Sequence, residues 1–484
     1  MRFVLVCDDG HLDDVPWHLW AHSGARHRDQ SQCGHAHLRF ESRSDLGSGL
    51  DSLSVRCSAC QASRSLRDLT NKETPRRLGW TCWGRQPWQS REDARACNET
   101  PVVVQRGASN VYFPVVVSAL HIPPNSDWRT MNDPATRMAT NKFFQGLVED
   151  PEHPLRDALI DDLARRYSLG RDQVEAAVAD ARNQRTADRG IDDIRPDEWS
   201  AICQPRTEFD PRDGFIARLT PFPSDGSDPD PVSRGLAGRI AAVTLVDRLR
   251  EVRVLDGFQR HNATSTVRSN LGHPPAFLPA VEVYGEGVFL RFDENTVADW
   301  ERQPEAQERA RRLAARRRSA TGLGWLPDPT PRRLMLHTLA HLLLRQTAFD
   351  AGYSTSSLRE RLYVGRADTP RPMAGVLLYT AAGDAEGTLG GLVRLGRAER
   401  LVPLLRAAVA AAAWCSFDPV CGEASGQGPR GMSLAACHAC VLVPETSCEH
   451  GNRLLDRRML VDPGFGFFRD LVADGRSAPG EISW

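Results

Sequence analysis

Five cysteines fall within thirty-four residues near the C-terminus: Cys415, Cys421, Cys437, Cys440 and Cys448, in WCSFDPVCGEASGQGPRGMSLAACHACVLVPETSCEHGNRLLD (414–456). No other stretch limits the fold so strongly. Cys437 and Cys440 form a Cys-x-x-Cys knuckle, whose tight turn offers two thiolates to one metal, and flanking cysteines can close a tetrahedron at about 2.3 Å per Zn–S bond. Cys421, Cys437, Cys440 and Cys448 are the expected zinc ligands. Cys448 follows the knuckle closely, and Cys421 sits across a Gly-rich loop able to fold back. Cys415 is the alternate for the fourth position. Buried free thiols or a redox pair are the competing readings. Four thiolates leave no open position, so such a metal would fold the segment and perform no chemistry.

A second Cys-x-x-Cys lies at Cys57 and Cys60, followed by Cys82 and Cys97. These four are expected to hold a second zinc, on looser spacing. Cys7, His11, Cys33 and His35 could supply a third site, against solvent-facing or core hydrogen-bonding roles for each histidine. The chain has twelve cysteines. Clustered in knuckles, they favour metal over disulfides in a cytoplasmic protein, and no apolar run approaches the roughly 20 residues a bilayer span needs.

At 484 residues with 41% hydrophobic content, the chain should form two to four domains with ample core. Basic and acidic residues balance at 61 and 62, so any binding of DNA has to come from local patches. Only Lys72 and Lys142 among the basic residues are lysines. They stand in Asn-Lys-Glu and Asn-Lys-Phe, whereas a phosphate-binding P-loop needs Gly-Lys-Ser/Thr. The chain has no Walker A site and is not itself an ATPase.

Texture divides the sequence into three regions of an α+β, multidomain protein. Residues 1–124 read as a β-rich, zinc-ribbon-like N-terminal region, 125–327 as a mixed α/β middle region, and 328–484 as an α/β C-terminal zinc-binding domain. In the middle region Leu155, Leu159, Leu163 and Tyr167 share one helical stripe. A Ser-Leu-Gly turn then leads to a second helix, which is either a helical hairpin or a DNA-reading helix-turn-helix. Val-rich strand patterns follow, the second broken at Gly285-Glu286-Gly287 into a hairpin or bulge. Glu251 and Glu286 read as paired charges fixing a sheet face, or as part of a charged site.

The helix 307–319 carries the densest basic cluster in the sequence. Within it Arg311, Arg312, Arg316 and Arg317 form either a solvated face or a phosphate-binding surface. His337 and His341 share a helical face four residues apart, without the glutamate that metalloproteases place after the first histidine. They read as buried, hydrogen-bonded residues. Gly387, Gly390 and Gly391 at a helix start could cradle a phosphate or serve tight packing. Asp384 and Glu386 beside them are the candidates for a metal-dependent nuclease or hydrolase.

Several motifs carry a family resemblance. LHTLAHLLL (336–344), ERLY (360–363), GTLGGLV (387–393) and CHAC…PETSCEHGNRLLDR resemble the MrfA-like zinc-binding domain, formerly DUF1998. RFVLVCDDGHLDDVPWHLWAH (2–22), VQRGASNVYFPVVVSALHIP (104–123), VDRLREVRVLDGF (246–258) and VEVYGEGVFLRFDE (281–294) resemble the DrmB family, the helicase-associated subunit of the DISARM antiphage system. Members of that family carry a further N-terminal segment with an additional cysteine pair ahead of the RFV motif, at which this sequence opens. Either the start is assigned late or this is a natural short form, and a metal site drawing on upstream ligands would be incomplete.

The resemblance implies a superfamily 2 helicase as partner, DNA as the shared substrate and a role in antiviral defence. The expected function is that of a non-catalytic, zinc-binding accessory subunit assisting DNA binding. A metal-dependent nuclease or hydrolase, and a scaffold that never touches nucleic acid, are the alternatives.

Overall fold

The computed structural model describes residues 2–473 apart from 25–32, 35–36, 44–46, 48, 109–110, 123–137, 139–140, 151–152, 187–193, 206–213, 221, 223–229, 262–264, 270–277, 321–322, 366–371 and 381–389. The chain divides into two compact units, each assembled from separated segments. Met1–Val117, Val254–Ala280 and Ala320–Trp325 make the first; Ser118–Arg253, Val281–Ser319 and Leu326–Trp484 make the second.

The first unit is built from very short strands. β1 (Phe3–Val6) lies between β2 (Leu12–Asp14) and a later strand, and the turn into β2 passes through Gly10 at φ +80°, a left-handed geometry that glycine adopts freely. Helix α1 (Trp17–His22) follows. A second small sheet has the order β3 (Leu38–Ser42), β4 (Leu53–Cys57), β5 (Ser63–Ser65), and β6 (Val102–Gln105) returns to pair with β1. Strands of three to five residues bury little on their own. The space between them is filled by Trp17, Trp20 and Trp80 with Phe3, Val55, Leu66 and Leu69, and every cysteine in 1–117 belongs to one of two clusters beside this core.

The second unit pairs a helical cluster with a sheet. β7 (Phe113–Leu120) enters it, and α2 (Lys142–Glu149), α3 (Arg156–Tyr167) and α4 (Arg171–Thr186) pack through Phe144, Leu147, Ile160, Leu163, Val174 and Val178. Ser168 caps α3 in the left-handed region at φ 53°. The stripe is rotated from the expected one. Ile160 and Leu163 face the core, whereas Leu155 is 61% exposed. The α3–α4 pair is thus one side of a three-helix cluster.

The sheet runs β9 (Ile240–Gln259), β11 (Ala280–Phe292), β13 (Met373–Thr380), β12 (Leu358–Gly365). β8 (Ile216–Thr220) pairs with β9, and the end of β9 in the first unit pairs with β10 (Val267–Arg268). β11 passes through Gly285-Glu286-Gly287 without forming a hairpin. A Cβ on Gly285 would lie 2.0 Å from the Thr380 carbonyl oxygen, so the glycine admits the β13 backbone at close range.

Against this sheet lie α5 (Arg195–Cys203) and α7 (Pro331–Ala351), while α6 (Pro304–Ser319) and α8 (Ala398–Ala412) pack on α7. α7 is the central helix. Its N-cap Thr330 accepts from the Arg333 amide, Pro331 opens the first turn, and Gly352 at φ 71° ends it. It is apolar on nearly all sides and buried accordingly. None of the described helices is long and apolar enough to cross a membrane.

Several buried charges around these elements are paired. Arg361 is 0% exposed and grips Glu198 through two nitrogens, at 2.5 and 2.7 Å, while Tyr363 donates its hydroxyl to the same carboxylate at 3.0 Å. Glu251 accepts from Arg253 at 2.7 Å and from Tyr379 at 2.9 Å. Glu286 accepts the backbone amides of Gly390 and Leu392. A carboxylate of the chain itself therefore occupies the turn at Gly390 and Gly391 that could have cradled a phosphate. Gly387, Asp384 and Glu386 lie outside the described residues.

Candidate metal centres

Cys415, Cys421, Cys437 and Cys440 converge beyond the end of α8, with their sulfurs within 4.8 Å of one another. Cys415–Cys437, Cys437–Cys440 and Cys421–Cys440 stand at 3.5, 3.6 and 3.7 Å. A tetrahedron with metal–sulfur bonds of about 2.3 Å has edges of about 3.8 Å, so the donor set fits zinc as it stands. The knuckle is shaped by its own backbone: the amides of Cys440 and Val441 both donate to the Cys437 carbonyl. Amide donors also point at the sulfurs, Cys437 to Cys440 at 3.3 Å and Phe417 to Cys415 at 3.5 Å. Asp418 fixes the approach of Cys415 by accepting its amide at 2.9 Å and pairing with Arg457. Such outer partners orient ligands and offset thiolate charge.

Cys415 thus takes the place in this group that the sequence assigns first to Cys448. After Leu442 the chain turns through Pro444 and the short 3-10 helix Glu445–Ser447 and reaches α7. The Cys448 sulfur there sits among His337, His341 and Glu360, 3.2 Å from the Nε2 of His337.

The N-terminal cysteines likewise separate into two groups where the spacing suggests one. Cys57 and Cys60 meet Cys33 and His22. The Gln61 amide closes the knuckle onto the Cys57 carbonyl at 2.9 Å, with Gln61 at φ 63°. The backbone N–H of Cys60 lowers the Cys57 thiol to about 7. His22 donates Nδ1–H to the His18 carbonyl at 2.7 Å, leaving Nε2 directed at Cys60, 3.3 Å away. Cys82 and Cys97 meet Cys7 and His11, with the Cys7 sulfur 3.4 Å from the His11 ring. The Gly84 amide donates to Cys82 at 3.4 Å. Of the suggested third set, Cys7 and His11 fall in one group and Cys33 in the other, while His35 lies outside the described residues. Each group has three sulfurs and one imidazole, a composition that suits a closed zinc site.

Sequence reasoning misses His22 because only its i, i+4 relation to His18 marks it, and that pattern is common in ordinary helices. It misses Glu360 as a ligand because nothing in ERLY (360–363) marks a strand glutamate for metal.

The arginine helix α6 has two sides. Arg309 is buried against Asp456, which is 0% exposed, with one nitrogen at 2.9 Å. Arg316 donates to the carbonyls of Gly431 and Ser425, bracing the loop between Cys421 and Cys437. Arg317 donates to the Leu326 carbonyl at 2.5 Å and to Asp328 at 3.0 Å. Arg311 and Arg312 remain on the surface, 67% and 56% exposed, beside Glu308.

Comparison with known proteins identifies a zinc-binding domain in this part of the chain. Residues 339–441 match the MrfA Zn-binding domain, a span that holds all four of Cys415, Cys421, Cys437 and Cys440 and stops short of Cys448. Residues 1–113 match a domain of unknown function, DUF8724. The DISARM protein DrmB of Bacillus paralicheniformis is 33% identical over 95% of this chain and 80% of its own length. Identity at that level along nearly the whole sequence, together with a zinc-binding domain whose cysteines meet in one tetrahedral cluster, places the chain in the DrmB family of DISARM defence proteins.

Proposed function

We propose that this chain is a non-catalytic, zinc-stabilised subunit that partners a superfamily 2 DNA helicase and assists its hold on DNA during antiphage defence. The observation that carries the proposal is the closure of the metal-capable groups. Cys415/Cys421/Cys437/Cys440, His22/Cys33/Cys57/Cys60 and Cys7/His11/Cys82/Cys97 each supply four protein donors. A catalytic zinc needs a coordination position left to water or substrate. Together with the missing P-loop lysine, this favours a supporting role over an engine or a hydrolase. The helicase partner and the shared DNA rest on the family resemblance.

Arg311 and Arg312 are the surface arginines of α6 best placed to reach phosphate, and Arg316 and Arg317 would support them from behind through hydrogen bonds to carbonyls within the chain. Arginine suits the task, because its guanidinium grips phosphate with two nitrogens and stacks on unpaired bases.

The test is co-expression with a superfamily 2 helicase from the same genome, followed by DNA binding across a salt series. Co-purification is expected, with no cleavage of labelled DNA in Mg²⁺ or Mn²⁺. Arg311→Glu with Arg312→Glu should weaken binding by the complex and reduce the salt slope by up to about 2, since each phosphate an arginine neutralises adds about 0.9 to it. Cleavage, or an unchanged slope, would overturn the respective half of the proposal.

A further inference from the structure

We infer that His337, His341, Glu360 and Cys448 form a further metal site, distinct from the cysteine tetrad and buried in the centre of the second unit. His337 and His341 stand one helical turn apart on α7, Glu360 comes from β12 and Cys448 from the turn after the knuckle. All four offer donor atoms within 4.8 Å of one another. The two histidines are 0% exposed, Glu360 is 1% and Cys448 9%.

The hydrogen bonds around the group leave its lone pairs facing inward. His337 Nδ1 and His341 Nδ1 each lie 3.1 Å from a backbone carbonyl, those of Leu454 and Val441. A carbonyl only accepts, so both Nδ1 atoms carry the proton, and in the neutral rings both Nε2 atoms present lone pairs to the centre. Metal-bound histidines are commonly oriented by this kind of hydrogen bond. Facing them is Glu360 Oε1, 2.9 Å from His337 Nε2 and 3.5 Å from His341 Nε2. That oxygen already accepts the Glu449 amide at 3.1 Å. His341 Nε2 has no hydrogen-bond partner of ordinary geometry among the described residues, nor has Glu360 Oε2. The Cys448 sulfur receives the amides of His450 and Asn452 at 3.4 and 3.2 Å, the donors a thiolate needs.

Four electron-rich atoms gathered in a buried interior repel one another unless protons or a cation lie between them, and a single metal ion satisfies all four at once. Bonds of about 2.0–2.2 Å to nitrogen and oxygen and about 2.3 Å to sulfur give a tetrahedron with edges of roughly 3.3–3.6 Å. Three of the six separations, 2.9, 3.2 and 3.5 Å, match it after an outward shift of a few tenths of an ångström, and the remaining three lie within 4.8 Å.

Charge makes the same point. A divalent ion with one thiolate, one carboxylate and two neutral imidazoles sums to zero, which suits complete burial. The tetrad with four thiolates would carry a net double negative charge, and Cys437 there is partly exposed. The mixed nitrogen, oxygen and sulfur set is one that zinc accepts. With no position left open, the ion would tie α7, β12 and the C-terminal turn together.

Full-length protein exchanged into ¹¹³Cd²⁺ and observed by cadmium NMR separates this site from every other. Cadmium resonates progressively upfield as thiolates are replaced by nitrogen and oxygen. The tetrad has four thiolates and the N-terminal groups three each, so a one-thiolate signal belongs to this site alone. The expected spectrum has one resonance far upfield of the rest, abolished or displaced by Cys448→Ser or Glu360→Gln while the four-thiolate resonance stays in place. Thiolate-rich resonances without the upfield one in the wild-type protein would overturn the inference and leave the proposed function standing. Displacement of the four-thiolate resonance by Cys448→Ser would also overturn it, by returning Cys448 to the tetrad.

Discussion

Arg309 and Arg312 lie one turn apart on the same arginine-rich helix, and the structure predicts opposite consequences for removing them. Arg309→Met takes the cation away from Asp456, which is 0% exposed and whose carboxylate also accepts the Arg458 amide at 3.2 Å. Breaking a buried pair from one side strands the other charge, at about 3–5 kcal/mol. At about 2 °C per kcal/mol for a large domain, the melting transition should fall by roughly 6–10 °C. Arg312→Met removes an exposed arginine paired with Glu308, and exposed pairs contribute about 0–1 kcal/mol, so its melting temperature should stay within about 2 °C of wild type. Replacing both members of the buried pair, as in Arg309→Met with Asp456→Leu, should recover much of the stability, because no unpaired charge remains. Differential scanning fluorimetry in excess zinc reads all three variants. If Arg309→Met melts within about 1 °C of wild type, or Arg312→Met falls as far, the division of the helix into a buried and an exposed side is wrong. It follows that DNA binding should be tested with Arg311 and Arg312 alone, since altering Arg316 disturbs the loop it braces.

Two further outcomes follow from the sheet. Gly285→Ala sets a methyl group 2.0 Å from the Thr380 oxygen and should destabilise the second unit by about 1–3 kcal/mol, read as a lowered urea midpoint. Glu251 concerns acid stability. Burial alone would raise its carboxyl, but Arg253 and the Tyr379 hydroxyl outweigh that and hold it below the ordinary 4.5. A carboxylate depressed in the folded state stabilises fully above its unfolded value and loses that contribution as pH falls through the folded one. Glu251→Gln should therefore have the shallower fall in melting temperature below about pH 4.5, and equal slopes would show that the pairing contributes nothing.

Short-range features are legible in the sequence, whereas partnerships made through space are not. The Cys-x-x-Cys turns at Cys57 and Cys437 are local, so the knuckles stand out at once. Which distant cysteine completes each one depends on where β4, β6 and α8 carry their ends, and spacing alone misleads. Cys448 is eight residues from Cys440, yet the turn at Pro444 sends it to α7. In the first unit the grouping Cys57, Cys60, Cys82 and Cys97 gives way to two sets, one completed by Cys7 and His11, which the sequence offers for a different site, and the other by Cys33 and His22, a histidine with no distinctive sequence context. The same limit applies to α6, where arginines around the circumference look alike until Asp456, 147 residues away, distinguishes Arg309. The glycines at 285 and 287 suggest a break in the strand. They instead serve a close approach by β13, which only the partner strand reveals.

The separation of the N-terminal cysteines into two closed sites, beside the C-terminal tetrad, is tested most directly by counting zinc in reduced full-length protein and in Cys57→Ala, Cys82→Ala and the double variant. Wild-type protein should hold at least three zinc ions. Each single substitution should remove one, and the double two. Equal reductions in all three variants would mean that Cys57 and Cys82 serve one ion, and a cooperatively folded wild-type protein without zinc would contradict the metal-held fold altogether.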